Sequence, residues 1–289
     1  MKKFLAMALA VLMVCGMFAG CGNSAAEETQ APETTAAAAE TTAAAAETAA
    51  AETADAEAAF TTIEEGKLIM STNATFPPYE MVADDGSFEG IDVEVAGAIA
   101  EKLGLELVVD DMDFDAALLA VQQNKSDIVM AGVTVTEDRQ MVMNFSDSYA
   151  TGVQVVIVKE GSDVTMDNLG EKMIGCQRGT TGYIYASDSP ENGGYGEDHV
   201  TAFDSGASAV QALMNGQVDC VIIDSAPAAE FVAANAGLTI LEGTWVEEFY
   251  AIGTNKDNTA LLDAINAALA ELTADGTVQT IVDKYITAE

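Results

Sequence analysis

Arg139 and Asp224 are the charged residues whose placement invites chemistry. Arg139 follows Ala131-Gly132-Val133-Thr134-Val135-Thr136-Glu137-Asp138, and Asp224 closes the apolar run Cys220-Val221-Ile222-Ile223. A guanidinium meets a carboxylate with a planar, two-pronged fork, and a carboxylate accepts hydrogen bonds from a cation. Gly132 and Thr134 offer backbone groups, and Thr134 adds a hydroxyl. Thr181 opens a turn after Gly179, where free N–H groups attract anions. Each has a plainer reading. Arg139 could pair at the surface with Glu137 or Asp138, Asp224 could cap a helix starting near Ser225, and Gly179 and Gly182 could be turn glycines. Other chemistries lack their residues. The single histidine, His199, lies in a polar stretch, and Cys176 and Cys220 have no metal-ligand spacing, so neither a zinc site nor a Cys–His nucleophile is expected. No Gly-x-Ser-x-Gly, phosphate-loop or dinucleotide motif occurs. No catalytic residue, metal or cofactor is therefore expected.

The elements that must position these residues repeat. Ala120-Val121-Gln122-Gln123-Asn124-Lys125-Ser126-Asp127-Ile128-Val129-Met130-Ala131-Gly132 parallels Ala212-Leu213-Met214-Asn215-Gly216-Gln217-Val218-Asp219-Cys220-Val221-Ile222-Ile223-Asp224. Each reads as a helix end, a polar turn, an aspartate and an apolar strand. Strands without polar alternation are buried on both faces, as in parallel sheets covered by helices. Each copy follows a similar opening strand, Lys67–Thr72 or Lys172–Gln177. The chain thus reads as two related α/β units. Amphipathic patterns predict helices over Ile91–Leu103, Phe114–Gln123, Ala207–Met214, Ala226–Asn235, Leu261–Leu272 and Val278–Tyr285. Ligand sites in such sheets lie beyond the carboxyl ends of the strands. Those ends are Ser71-Thr72-Asn73, Ala131–Thr134, Gln177-Arg178-Gly179-Thr180-Thr181 and Ile223-Asp224, which two facing lobes would gather into one cleft.

The beginning of the chain reads differently. Lys2 and Lys3 precede an apolar run, Phe4 to Phe18, broken only by Gly16. It is shorter than the roughly 20 residues of a spanning helix and reads as an export signal. Its end, Phe18-Ala19-Gly20-Cys21, resembles the lipobox of bacterial lipoproteins, which implies a diacylated Cys21; the alternative is an ordinary signal with a chance cysteine. Two lipid chains anchor stably where one does not. From Gly22 to about Ala59 the chain is low-complexity Ala, Thr and Glu, unable to build a core. As a flexible tether it would reach about 35 Å. About 230 residues remain from Phe60 onward, enough for one large or two small domains. The net charge of −36 argues against a nucleic-acid partner, whose phosphates need Lys and Arg.

Taken in order, Thr72-Asn73-Ala74-Thr75-Phe76-Pro77-Pro78-Tyr79-Glu80, Gly90-Ile91-Asp92-Val93-Glu94, Asp127-Ile128, Ala131–Arg139, Phe145-Ser146, Gly179-Thr180-Thr181-Gly182 and Val218-Asp219 through Asp224 resemble the polar amino-acid family of extracellular solute-binding proteins, the receptors of ABC importers. The likeness runs from about Phe60 to Ile286. It implies a two-lobed α/β fold of the periplasmic-binding-protein type II class, with a cleft between the lobes. Lobe I would be residues 60–150 plus 251–289 and lobe II residues 151–250, after a signal at 1–20 and a lipidated tether at 21–59. Hinge crossings would fall near Ala150–Val155 and Phe249–Gly253.

The resemblance also implies a ligand. A free amino acid carries a carboxylate and an ammonium, and burying either unpaired costs several kcal/mol. Arg139 would take the carboxylate and Asp224 the ammonium, from opposite lobes, with Gly132, Thr134, Thr180 and Thr181 adding contacts. Phe76 and Phe114 would wall the ligand, and Tyr79 would pack within its lobe. Asn73 stands where family members for basic ligands carry Asp, which leans away from Lys, Arg or His, and Gln177 and Arg178 stand where selectivity varies. A polar neutral amino acid is the expectation, with an acidic one and cystine open. The same fold hosts dehydratases, which would need a positioned acid and base, and sensory domains, which would need a spanning helix after Ile286. The resemblance instead implies a monomer on the extracytoplasmic face of the cell membrane, working with a membrane permease. Cys176 and Cys220, on neighbouring strands, are expected as free buried thiols, with a disulfide as the alternative.

Overall fold

The computed structural model describes residues 60–286. The residues expected to form an export signal, a lipidated Cys21 and a tether lie outside these residues.

The chain begins with β1 (Lys67–Thr72), a small hairpin layer β2 (Thr75–Phe76), β3 (Glu80–Val82) and β4 (Phe88–Glu89), then α1 (Ile91–Lys102), β5 (Glu106–Asp111), α2 (Phe114–Gln122), β6 (Ile128–Val129) and α3 (Glu137–Val142). The long β7 (Met143–Lys159) leads to β8 (Ile174–Gln177), α4 (Thr181–Ser187), β9 (Val200–Phe203), α5 (Gly206–Met214), β10 (Cys220–Asp224), α6 (Ser225–Ala234) and β11 (Leu238–Ile240). β12 (Val246–Asn255) returns, and α7 (Thr259–Ala274) and α8 (Thr277–Tyr285) finish.

The two α/β units are present, but their strands belong to one sheet, ordered β5-β1-β6-β12-β7-β10-β8-β9, with β11 beside β7. Within each unit the strands are parallel: β1 with β5 and β6, and β8 with β9 and β10. The sheet as a whole is mixed, because β12 runs antiparallel to both β6 and β7, and β7 antiparallel to β10. At 17 residues β7 extends about 55 Å, enough to pass from one unit into the other. Its pairing with β12 shifts register near Tyr250 and Ala251, opposite Ala150 and Ser148.

The repeated aspartates hold the repeated units together. Asp127 takes the backbone of Ile69 with both its N–H and its carboxylate, and Asp219 does the same with Met173. In each unit this ties the helix-to-strand turn to the opening strand. The amphipathic helices then bury their apolar faces on the sheet: Ile91, Val95 and Ile99 from α1, Val210 and Leu213 from α5, Leu261, Ile265, Leu269 and Leu272 from α7. α8 returns to α1, where Lys284 and Tyr285 hydrogen-bond Glu94, and Tyr285 accepts from the Gly90 N–H. Cys176 and Cys220 lie on the adjacent strands β8 and β10, both buried and unlinked. Tyr79 packs 5.9 Å from the Phe76 ring of its own unit and edge-on to Tyr250 of the long strand β12.

Candidate functional site

The carboxyl ends of β1, β6, β8 and β10 face one another across the two long strands, and a small cavity of about 20 Å³ lies between them. Every residue singled out as a ligand contact lines it: Asn73, Phe76, Phe114, Gly132, Thr134, Arg139, Gln177, Thr180, Thr181 and Asp224, joined by Glu80 and Ala131. Arg178 does not; it points outward and pairs with Asp204 at 3.5 Å.

Arg139 sits in the first turn of α3, whose N-cap Thr136 accepts the Arg139 N–H. The side chain turns inward and is buried. Nη1 donates to the Thr134 carbonyl at 2.8 Å and Nη2 to the Gly179 carbonyl at 3.1 Å, while the guanidinium carbon lies 5.4 Å from the Phe114 ring centre. A surface pairing with Glu137 or Asp138 is thereby excluded: the fork is fixed on carbonyls, and two of its five donors are so held. Burial pushes the Arg139 pKa down, and Glu248 is foremost among the carboxylates that oppose this.

Asp224 is the N-cap residue of α6 by position, yet its side chain caps nothing. Oδ1 accepts from the Tyr250 hydroxyl and Oδ2 from Gln154 Nε2 at 2.8 Å. Burial raises its pKa to about 7, with Glu248 pushing the same way and Tyr250 and Gln154 pulling back. A carboxyl so placed gains from a cation at its side.

Two glycines let the site close. Gly132 has φ +55°, and a Cβ there would come within 2.9 Å of the Phe76 ring. Its N–H donates to Asp92 Oδ2 at 2.9 Å, and Asp92 also accepts from the Tyr149 hydroxyl at 2.7 Å. Gly179, at φ +73°, presses its backbone against Asp115 from the first unit, leaving no room for a side chain. The two units also touch through Gln177 Nε2, which donates to Asn73 Oδ1 at 2.9 Å, while Asn73 Nδ2 donates to the Met112 carbonyl. Thr180 departs from the expectation in one respect. Its hydroxyl caps α4, accepting the Tyr183 N–H and donating to the Gln177 carbonyl, so the helix claims it.

Four buried residues beyond those singled out complete the site. Glu80 lines the cavity, fully buried, and neither carboxyl oxygen receives a donor. Burial raises its pKa well above the usual range, and the neighbouring Asp92 carboxyl adds to this. Glu248, Gln154 and Tyr250 come from the two long strands. The polar residue within the apolar run Val153-Gln154-Val155-Val156 was a signal that could have found Gln154, whereas Glu247-Glu248-Phe249-Tyr250 carries no local mark of which acid turns inward.

A cleft at the strand ends of two α/β units joined by two long strands, with a buried guanidinium and a buried carboxylate on its walls, defines a solute-binding protein of the two-lobed kind. The chain belongs to the bacterial extracellular solute-binding proteins, family 3, whose model matches residues 68–288. It is 32% identical over 228 residues to the arginine-binding extracellular protein ArtP of Bacillus subtilis, covering 77% of this chain and 87% of that one. It is 29% identical over 230 residues to the L-cystine-binding protein TcyJ of Escherichia coli K12, covering 78% and 85%. Among solved structures, an ancestral arginine-binding protein bound to glutamine matches with a TM-score of 0.72 at 37% identity, covering 78% of this chain and all of that one.

Proposed function

We propose that this chain is the substrate-binding component of an ABC importer of amino acids, binding a small, polar, neutral amino acid between its lobes and catalysing nothing. The observation that carries the reading is the placing of buried Arg139 and buried Asp224 on one cavity. Arg139 holds the ligand carboxylate and Asp224 its ammonium, with Gly132, Thr134 and Thr181 around them. Relatives named for arginine and cystine support an amino-acid ligand. The neutral side chain is argued from the Asn73–Gln177 amide pair, which offers no charge to a basic ligand, and a relative bound to glutamine is in keeping with it. A cationic amino acid is the second reading, favoured by the relative named for binding arginine.

Lobe I comprises residues 60–150 with 251–289 and lobe II residues 151–250, closing as a monomer over the ligand. Cys21, diacylated after removal of the signal, anchors the protein at the extracytoplasmic face of the membrane, beside the permease. A thermal-shift screen of the twenty amino acids tests the ligand class, since a ligand at a hundred times its Kd adds about 2.7 kcal/mol. No stabilisation by any of them would overturn the reading. Cys21→Ser should release the protein from membranes; unchanged retention and mass would overturn the anchor.

A further inference from the structure

Along β12 the side chains alternate: Glu248 and Tyr250 are buried, Glu247 and Phe249 are exposed. Tyr250 holds Asp224. Glu248 does something different. Its Oε2 accepts from Thr181 Oγ1 at 2.9 Å, from Thr134 Oγ1 at 3.0 Å and from Gln154 Nε2 at 3.1 Å. Thr134 comes from the first unit, Thr181 from the second, and Gln154 from the strand that joins them. One carboxylate oxygen thus gathers a hydroxyl from each wall of the cleft.

A threonine hydroxyl has one proton and two lone pairs. When the proton goes to Glu248, only lone pairs are left for the cavity. Thr134 and Thr181 both line that cavity, and hydroxyls so engaged can offer it acceptors alone. Acceptors suit an ammonium and reject a carboxylate. Arg139 bonds carbonyls, and Glu248 is not among its hydrogen-bond partners, so Glu248 is engaged with the hydroxyls and not consumed in an ion pair. With an apolar residue at 248, each hydroxyl would be free to turn its proton inward. The cleft would then lose part of its power to tell one end of a zwitterion from the other.

We propose that Glu248 is a positioning residue that sets the polarity of the cleft, holding the Thr134 and Thr181 hydroxyls as acceptors for the ligand's ammonium and so fixing which way round an α-amino acid enters. The inference rests on the amino-acid reading given above.

The test is a double-mutant cycle by calorimetry on the whole protein. The probe is L-glutamine, replaced by whichever L-amino acid gives the larger thermal shift on native protein. Thr134→Val should weaken binding about tenfold and Glu248→Leu at least as much, and together little more than Glu248→Leu alone, because the acceptor lost with Thr134 is one of the two that Glu248 holds. Glu248→Gln keeps an accepting oxygen and should stay within about threefold of native; it also serves if the Leu variant does not fold. The preference for the amino acid over its des-amino analogue should shrink in Glu248→Leu and persist in Glu248→Gln. Losses that multiply independently, or a Gln variant as weak as Leu, would overturn the proposal and leave Glu248 a packing residue. Failure of the native protein to bind any amino acid would instead overturn the reading beneath it.

Discussion

Asp224, as the proposed partner of the ligand's ammonium, should tie affinity to pH, and the size of the effect follows from the site. In the ligand-free cleft burial raises its pKa to about 7. An ammonium needs the ionised form. Near pH 6 about one Asp224 in eleven is ionised, and near pH 8 about ten in eleven, so affinity should rise about tenfold between them, or about 1.4 kcal/mol. The sign is set by linkage: the cation pulls the carboxyl back towards its ordinary pKa, so binding expels a proton and is favoured as pH rises towards 7. Near pH 6 about 0.9 proton should leave per ligand bound. Calorimetry in buffers of different ionisation enthalpy reads this directly. Affinity equal within twofold at the two pH values, with a binding heat independent of buffer, would refute Asp224 as the titrating partner of the ammonium.

Arg139→Ala or Asp224→Ala should weaken binding by about 2–5 kcal/mol with the fold intact, and Arg139→Lys should also weaken it for want of the fork, as calorimetry can check. Tyr250→Phe removes a donor that favours ionised Asp224, so the midpoint of affinity against pH should move up; an unmoved midpoint would count against that contact. Gly152→Ala would put a methyl within 2.6 Å of Asp224 Oδ1 and into the Tyr250 ring, so it should lower both thermal stability and affinity. With Asp92 raised to about 6 and Asp224 to about 7 by burial, ligand-free stability should fall as pH rises from about 4 towards 7, because the folded state holds protons the unfolded chain releases. Burial also pushes the thiol of Cys220 up to about 12 and that of Cys176 higher still, so neither should react with a thiol reagent until the protein is unfolded, and intact mass should not change on reduction.

The local elements were legible because their signals are local. Lys67–Thr72 and Cys220–Asp224 form as strands where unbroken apolar runs stood, and the predicted helices match within a few residues at each end. The cavity residues were legible through strand ends and family motifs. The mixed sheet was not, because β7 and β12 pair across about a hundred residues and neither shows polar alternation. Glu248 was hidden for the same reason. In Glu247-Glu248-Phe249-Tyr250 the outward positions are one acid and one aromatic, and so are the inward ones, so only the register tells them apart. Glu80 and Asp92 stand inside the family motifs with nothing local to mark either acid as buried.

The return of α8 to α1 bears on how the molecule is made. The strands from β8 to β10 lie between the two long strands in the chain, so that half can assemble as soon as its own stretch has been synthesised. The other half cannot. Its first helix buries Ile91, Val95 and Ile99 in a core shared with Leu261, Ile265 and Ile281, which are synthesised last. Until they arrive that apolar face has no cover, and the nascent protein is at its most vulnerable to aggregation and proteolysis late in its synthesis. A premature stop after Asn255 would therefore leave the later-starting half folded and the earlier one open, the reverse of what N-to-C order alone suggests.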